Sequence, residues 1–339
     1  ADRTSRTPRP RPVGPPTRER VSAAVAAAGR PADGLVALVP PNFGHATVEK
    51  IAVNAVMAGC RPEYLPVVIA GAEAMCDDAF DLHGVAATTN SAAPLFIVNG
   101  PVRKRLDFNA GAGVFGPGHR ANATIGRALR LIIRNVGGAA AGGITMSALG
   151  HPGYFTYCIA ENEEESPWSP LSMEAGFAPG ESVISAFAGA APQTVYDHLS
   201  RTGEDLLVTL AHSLAVISHH KSTHHGDTLI VLSPEHARLL AADGWDRGRM
   251  RAFLWERLRK PVRALIPGVD GGEGIEEAVD KVVAGGMPVG RWRRPPDLAE
   301  QGLGLRRPRV GQQQQPPPHV PVHFLERLGD LPRVVALAR

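Results

Sequence analysis

The stretch Leu35-Val36-Ala37-Leu38-Val39-Pro40-Pro41-Asn42-Phe43-Gly44-His45 decides the reading of the fold. Five apolar residues stopped by two prolines read as a strand covered on both faces, as in a parallel sheet. The residues after it change period. Val48, Ile51, Ala52, Ala55 and Val56 recur at helical spacing, and Gly59 supplies a helix terminator, so a helix is expected from about Ala46 to Ala58, with Thr47 as a capping residue. Strand, short loop and helix in that order predict an α/β fold with a mostly parallel or mixed sheet and helices on both faces.

Working outward, the same alternation continues. Pro66–Met75 reads as a helix, Gly84–Thr89 and Leu95–Val98 as strands, and Asn122–Val136 as a long helix ending at Gly137-Gly138. Tyr154–Ile159, Ser182–Phe187 and Thr228–Leu232 read as strands, and Glu204–Val216 and Asp246–Leu258 as helices. Ser233-Pro234-Glu235 carries the cap, the first-turn proline and the early acid of a helix start. The expected organisation is a low-complexity, disordered arm over 1–34 in which Val21–Gly29 can form a short Ala-rich helix, α/β subdomains over 35–150 and 151–295, and a disordered tail over 296–339. That tail holds the run Gln312–Pro318, which cannot pack a core.

Composition narrows the function classes. A net charge of +3 with aromatic residues at 5% argues against a nucleic-acid partner. No apolar run reaches the length of a membrane span, and the Arg- and Pro-rich start lacks the apolar core of a secretory signal. The chain's three cysteines are far apart, match no zinc-ligand spacing and make no disulfide framework, which predicts a reducing, cytoplasmic setting. An oligomer is compatible with this composition, and no cofactor is indicated.

Five places can carry chemistry. Gly111, Gly113 and Gly116 match a dinucleotide fingerprint letter for letter. Yet the helix begins only after Pro117-Gly118-His119-Arg120, and no acid follows at the ribose position. The loop reads better as an anion cradle. Gly111, Gly113, Gly116 and Gly118 let a ligand approach the backbone, Asn122 opens the helix, and His119 and Arg120 supply donors; the bland alternative is a chain-reversing turn. Asn42 and His45 follow the first strand and are expected to contact substrate, facing the Gly-rich loop, unless the loop only caps the next helix.

Cys60 stands beside Arg61, a cation that lowers a thiol pKa, although the helix end there opposes that shift and buried structural cysteine is the commoner case. Cys158 precedes the acidic run Glu161-Asn162-Glu163-Glu164-Glu165, in which Glu161 is the expected acid–base group and the later glutamates resemble a solvated face. The histidines of His219–His225 read as an exposed loop, and no metal site is expected.

Several stretches also carry a family resemblance: Val39–Gly44, Glu49–Ala52, Asn54–Tyr64, His83–Val85, Gly111–Gly118, Arg120–Arg127 and Tyr157–Trp168. Over roughly Leu35 to Leu258 the chain resembles an uncharacterised bacterial protein family associated with UGSC-motif domains. These are small domains bearing Sec/Cys-Gly-Ser-Cys and similar to the selenoprotein components of glycine and proline reductases. The resemblance implies reductive carbon–heteroatom bond cleavage on a small anionic organic substrate, with the thiol or selenol supplied by a partner domain. Cys60 or Cys158 would then meet the partner's thiol. The alternatives are a metal-assisted lyase or hydratase built on the Glu161 cluster, and a non-catalytic ligand-binding or assembly subunit.

Overall fold

The computed structural model describes residues 15–217, 228–258 and 334–337. Its chain is α/β. In order come α1 (Arg18–Ala28), β1 (Leu35–Val39), β2 (Gly44–Thr47), α2 (Val48–Ala58), α3 (Leu65–Met75), α4 (Leu82–Ala87), β3 (Ala93–Asn99), α5 (Val102–Arg105) and α6 (Arg120–Asn135). Then follow β4 (Cys158–Ala160), α7 (Leu171–Glu174), β5 (Ser182–Gly189), α8 (Gly203–Ile217), α9 (Pro234–Ala242), α10 (Arg247–Arg257) and β6 (Val334–Leu337). The histidine loop 219–225 lies outside the described residues, as does the tail up to residue 333.

Strands β4-β3-β5-β6 form a four-stranded mixed sheet. β3 pairs in parallel with β4 (Phe96 opposite Cys158) and antiparallel with β5 (Asn99 opposite Val183). Every residue of β3 is buried, so both faces of this central strand are covered. The side-chain alternation of strands sends Phe96, Val98, Cys158, Ala160, Ile184 and Ala186 into the main core. Leu95, Ile97 and Asn99 therefore point to the opposite face.

The main core is built around α3, whose sequence LPVVIAGAEAM is apolar but for Glu73, which is partly exposed and accepts from Arg30. A helix with so little polar surface is buried on nearly every side. It packs on β5, α2 and α6. At the α3–α6 crossing Gly71 leaves room for Leu129; a Cβ there would lie 2.8 Å from Leu129 Cδ1. α6 presents Ile125, Leu129, Ile132 and Ile133 inward, a helical stripe read directly from spacing. α2 opens on Thr47, whose hydroxyl accepts from Lys50 N (3.3 Å), and closes on Gly59 at φ 92°. Ser233 caps α9 in the same way, accepting from His236 N (3.3 Å).

Several expectations are corrected. β1 is not a strand of the main sheet. It forms a separate antiparallel pair with β2, leaving Leu35 and Leu38 about half exposed, so Asn42 lies in a hairpin turn rather than beyond a parallel strand. Residues 84–87 of the expected strand belong instead to α4, which Asp81 initiates by accepting from Gly84 N (3.1 Å). Residues 228–232 form no strand and are not buried. The short helix expected at Val21–Gly29 is present as α1, which starts earlier, at Arg18, and buries Val21 and Ala24, whereas the tail, expected to be disordered, contributes β6, paired with β5.

The boundary expected at residue 150 cuts through the sheet, because β3 pairs with β4 and β5 across it. The compact units are residues 1–194 with 327–339, and residues 195–326. The second unit, among its described residues, is the helical set α8, α9 and α10. No helix among the described residues is long and apolar enough to cross a membrane.

Candidate functional site

The expected site residues separate into three places in the first unit. His119 and Arg120 begin α6, whereas Asn42 N donates to Gly137 O (3.0 Å) just beyond its end. A helix of 16 residues spans about 24 Å, so the Asn42 turn and the Gly-rich loop occupy opposite ends of α6 and do not face each other. His45 lies exposed on β2, its carbonyl accepting from Lys50 Nζ (2.9 Å).

Glu161 marks the third place. Thr156, ahead of β4, donates to Ala123 O in the first turns of α6 (2.9 Å), while Glu161 follows the last residue of β4. At the rise of an extended chain the two are about 16 Å apart. Cys60, His119 and Glu161 therefore do not share one centre.

The Gly-rich loop is held by a reciprocal asparagine clamp. Asn109 N donates to Asn122 Oδ1 (2.8 Å) and Asn122 Nδ2 donates to Asn109 O (2.9 Å). Asn122 is buried and spent on this clamp, so it positions the loop and does not itself meet a ligand. Gly111, Gly113, Gly116 and Gly118 are exposed or nearly so, and Gly113 (φ 69°) and Gly118 (φ 114°) adopt left-handed backbone that disfavours other residues.

Arg120 does not point at a cradle. Its Nε and Nη2 both donate to Gly59 O (3.0 and 2.9 Å), so it satisfies a carbonyl left over at the end of α2.

The thiols are poor nucleophiles. Cys60 Sγ donates to Thr124 O (3.3 Å), and burial pushes its pKa up to about 12 against the pull of that bond and of Arg120. Cys158, buried in β4, is raised further, again by burial. Both are protonated at neutral pH, and the thiolate is the reactive form.

The acidic run is an ion-paired cap on the carboxyl ends of β3 and β4. Buried Arg103 donates through Nη2 to Glu163 (2.6 Å) and Glu164 (2.9 Å) and through Nη1 to the Glu161 carbonyl (2.8 Å). Asn99 Nδ2 donates to Glu161 (2.6 Å) and Glu163 (2.9 Å), and Leu171 N donates to Glu161 (2.8 Å). Hydrogen bonds from Arg103 and Lys104 lower the Glu164 pKa to about 2. Among the described residues no group of three or more His, Cys, Asp or Glu side chains is arranged to hold a metal ion.

A cluster that the sequence reading passed over lies on the Gly-rich side. The guanidinium of Arg130, on α6, is 4.8 Å from the centre of the Tyr154 ring, and its Nε donates to Tyr154 O (3.3 Å). The His151 ring is edge-on to Tyr154 and Tyr157, at 5.2 and 5.5 Å, and Phe115 of the Gly-rich loop reaches Tyr157 at 6.0 Å. The chain of contacts thus runs from the loop through Phe115, Tyr157, His151 and Tyr154 to Arg130. Gly153 makes it possible, since a Cβ there would lie 2.5 Å from His151 and 2.7 Å from Tyr157.

Two donors in this cluster are incompletely used. Arg130 has no carboxylate in ion-pair distance among the described residues, and burial pushes its pKa down, so its charge is poorly solvated. His151 Nδ1 accepts from Gly153 N (3.1 Å), which puts the proton of the neutral ring on Nε2. That buried Nε2 makes no well-formed hydrogen bond. Burial, with the charge of Arg130, lowers the His151 pKa against a pull upward from the Gly189 backbone, which favours the neutral ring. The only local signal for this cluster was the spacing His151-x-x-Tyr154-x-x-Tyr157, which has no meaning until the chain folds back on α6.

No family model, no curated protein and no solved structure matches the chain.

Proposed function

We propose that the first unit binds a small organic anion between the Gly-rich loop and the Arg130–His151 cluster, as the substrate-holding component of an enzyme. The observation that carries this reading is Arg130, a partly buried guanidinium with an aromatic ring on one side and, among the described residues, no carboxylate to neutralise it. Burying a charge without a partner is costly, and a carboxylate or phosphate would offset that cost through bidentate hydrogen bonds. The His151 Nε2–H is a second donor suited to an anion oxygen. His119, at the exposed start of α6, and the backbone of Gly111–Gly118 favour negative charge nearby.

The resemblance to UGSC-associated proteins supplies the reaction class. A carbon–heteroatom bond breaks, and a partner thiol pair, or a selenol and a thiol, is oxidised to a disulfide or selenenylsulfide. The two electrons and two protons released leave the substrate as two reduced fragments. The protonated thiols of partly buried Cys60 and buried Cys158 argue that the reductant belongs to the partner domain and not to this chain. The metal-assisted alternative is less supported, because Glu163 and Glu164 are engaged by Arg103 and Lys104.

Titration calorimetry with a panel of small carboxylates and with inorganic phosphate tests the binding step. Arg130→Gln should weaken the best ligand by about 10-fold or more, the value of a hydrogen bond to a charged group, and His151→Phe should weaken it less. Equal affinity in Arg130→Gln and the wild type, or no binding by any member of the panel, would overturn the proposal.

A further inference from the structure

The outward edge of α6 has a feature that small-anion binding does not use. Arg120, Arg127 and Arg134 recur every seven residues along it. A straight α-helix drifts only about 20° per heptad, so the three side chains leave the helix within an arc of about 40°. Their Cα atoms span about 21 Å, with Ala123 and Thr124 buried between the first two and the edge from Arg127 through Leu131 to Arg134 at least partly exposed.

Arg120 and Arg134 are exposed and Arg127 is partly exposed. Arg127 and Arg134 make no side-chain hydrogen bond or ion pair among the described residues, and the sequence of α6, RANATIGRALRLIIRN, contains no acid. Among the described residues the Arg120 side chain bonds only to the neutral carbonyl of Gly59, which leaves its charge uncancelled there. The positive end of the helix dipole adds to the same potential. Leu131 lies on this edge between Arg127 and Arg134 and is only partly buried. Phe155, next to the Tyr154 that stacks on Arg130, is 79% exposed.

We infer that this edge docks an acidic α-helical segment of a partner protein. The heptad spacing selects the occupant. A helix with a carboxylate at one position of each heptad sets its charges at the same repeat as the arginines, as the flanking charges of a coiled coil do. A nucleic-acid strand carries a charge about every 3.4 Å, with no such match. Leu131 and Phe155 give the apolar contacts, and arginine and aromatic residues are enriched where proteins meet. Arg130, turned into the Tyr154 stack, is left to the small anion, so this docking does not rest on the anion site.

Fluorescence anisotropy of the full chain with synthetic helical peptides three heptads long tests it. One peptide carries Glu at a single heptad position, and its counterpart carries Lys. The Glu peptide should bind the wild type and weaken with salt, and Arg127→Glu/Arg134→Glu should cut its affinity at least about tenfold while binding the Lys peptide instead. Circular dichroism, with Arg127→Gln/Arg134→Gln as a milder variant expected to lose part of the affinity, separates lost docking from lost folding. Equal binding of both peptides by the wild type would overturn the inference. So would displacement of the Glu peptide by single-stranded RNA, or an effect of charge reversal confined to self-association in sedimentation.

Discussion

Arg103 shows how one side chain can decide what a run of glutamates is for. Its guanidinium, 5% exposed, holds Glu163 and Glu164 and the backbone of Glu161 at the ends of β3 and β4. Removing it leaves carboxylates stranded beside a buried polar network. Arg103→Gln is expected to cost on the order of 3 kcal/mol near neutral pH, read from urea unfolding. Glu164 supplies the sign of the pH dependence. Its folded pKa lies near 2, below the ordinary 4.5, so its contribution is complete above about 4.5 and lost as pH falls toward 2. Because Glu164 is 45% exposed, solvent screening keeps that share small. The deficit of Arg103→Gln should shrink between pH 6 and pH 3; a deficit independent of pH would disprove the ion-pair account. The cysteines teach the same lesson from the other side. Arg61, next to Cys60 in sequence, was the evident activator, but it lies 3.8 Å from Glu63. The cation acting on the thiol is Arg120, from α6, and burial outweighs it.

The helices were legible wherever an apolar stripe and a cap coincide. Thr47 and Gly59 bound α2, Ser233 and Pro234 open α9, and Ile125, Leu129 and Ile132 mark the buried side of α6. The strands were legible as apolar runs but not as partners. Leu35–Val39 has the composition of a covered strand, and its pairing with Gly44–Thr47 depends on a turn that periodicity does not report. Contact between elements also overrides propensity at Gly126. Alanine there is the better helix former by about 1 kcal/mol. Its Cβ would nevertheless lie 2.5 Å from Thr156 Oγ1, 2.8 Å from Tyr157 N and 3.0 Å from Cys158 Cβ, and two of those neighbours are held by the backbone of β4 and its approach. Gly126→Ala should therefore destabilise by about 2 kcal/mol net, with a lower denaturant midpoint. A gain in stability would mean that α6 and β4 are not packed this closely.

The two compact units define what the whole chain does as a body. All the residues of the proposed anion site belong to the first, and the second has a core of its own around Trp245. Arg249 stacks on that indole at 3.9 Å, Phe253 meets it edge-on at 5.3 Å, and a Cβ at Gly203 would lie 2.5 Å from it. Trp245→Ala should cost the second unit about 3–5 kcal/mol. Hydrogen exchange should quicken in α8, α9 and α10 and stay slow in β3 and β5; equal quickening in both sets would show the units to be one cooperative body. From sequence order, β5 looked like part of a separate second domain, yet it pairs with β3 along seven residues. Local order along the chain was enough for the α/β class, most of the helices and the Gly-rich loop, because propensity, capping and periodicity act over a few neighbouring residues. Which glutamates are neutralised, how far each cysteine is buried, and that Arg130 stacks on an aromatic ring while Arg120 is spent on the Gly59 carbonyl all depend on residues tens of positions apart. Burial and ion pairing are properties of packed neighbours, and those neighbours exist only once the sheet and α6 have closed on each other.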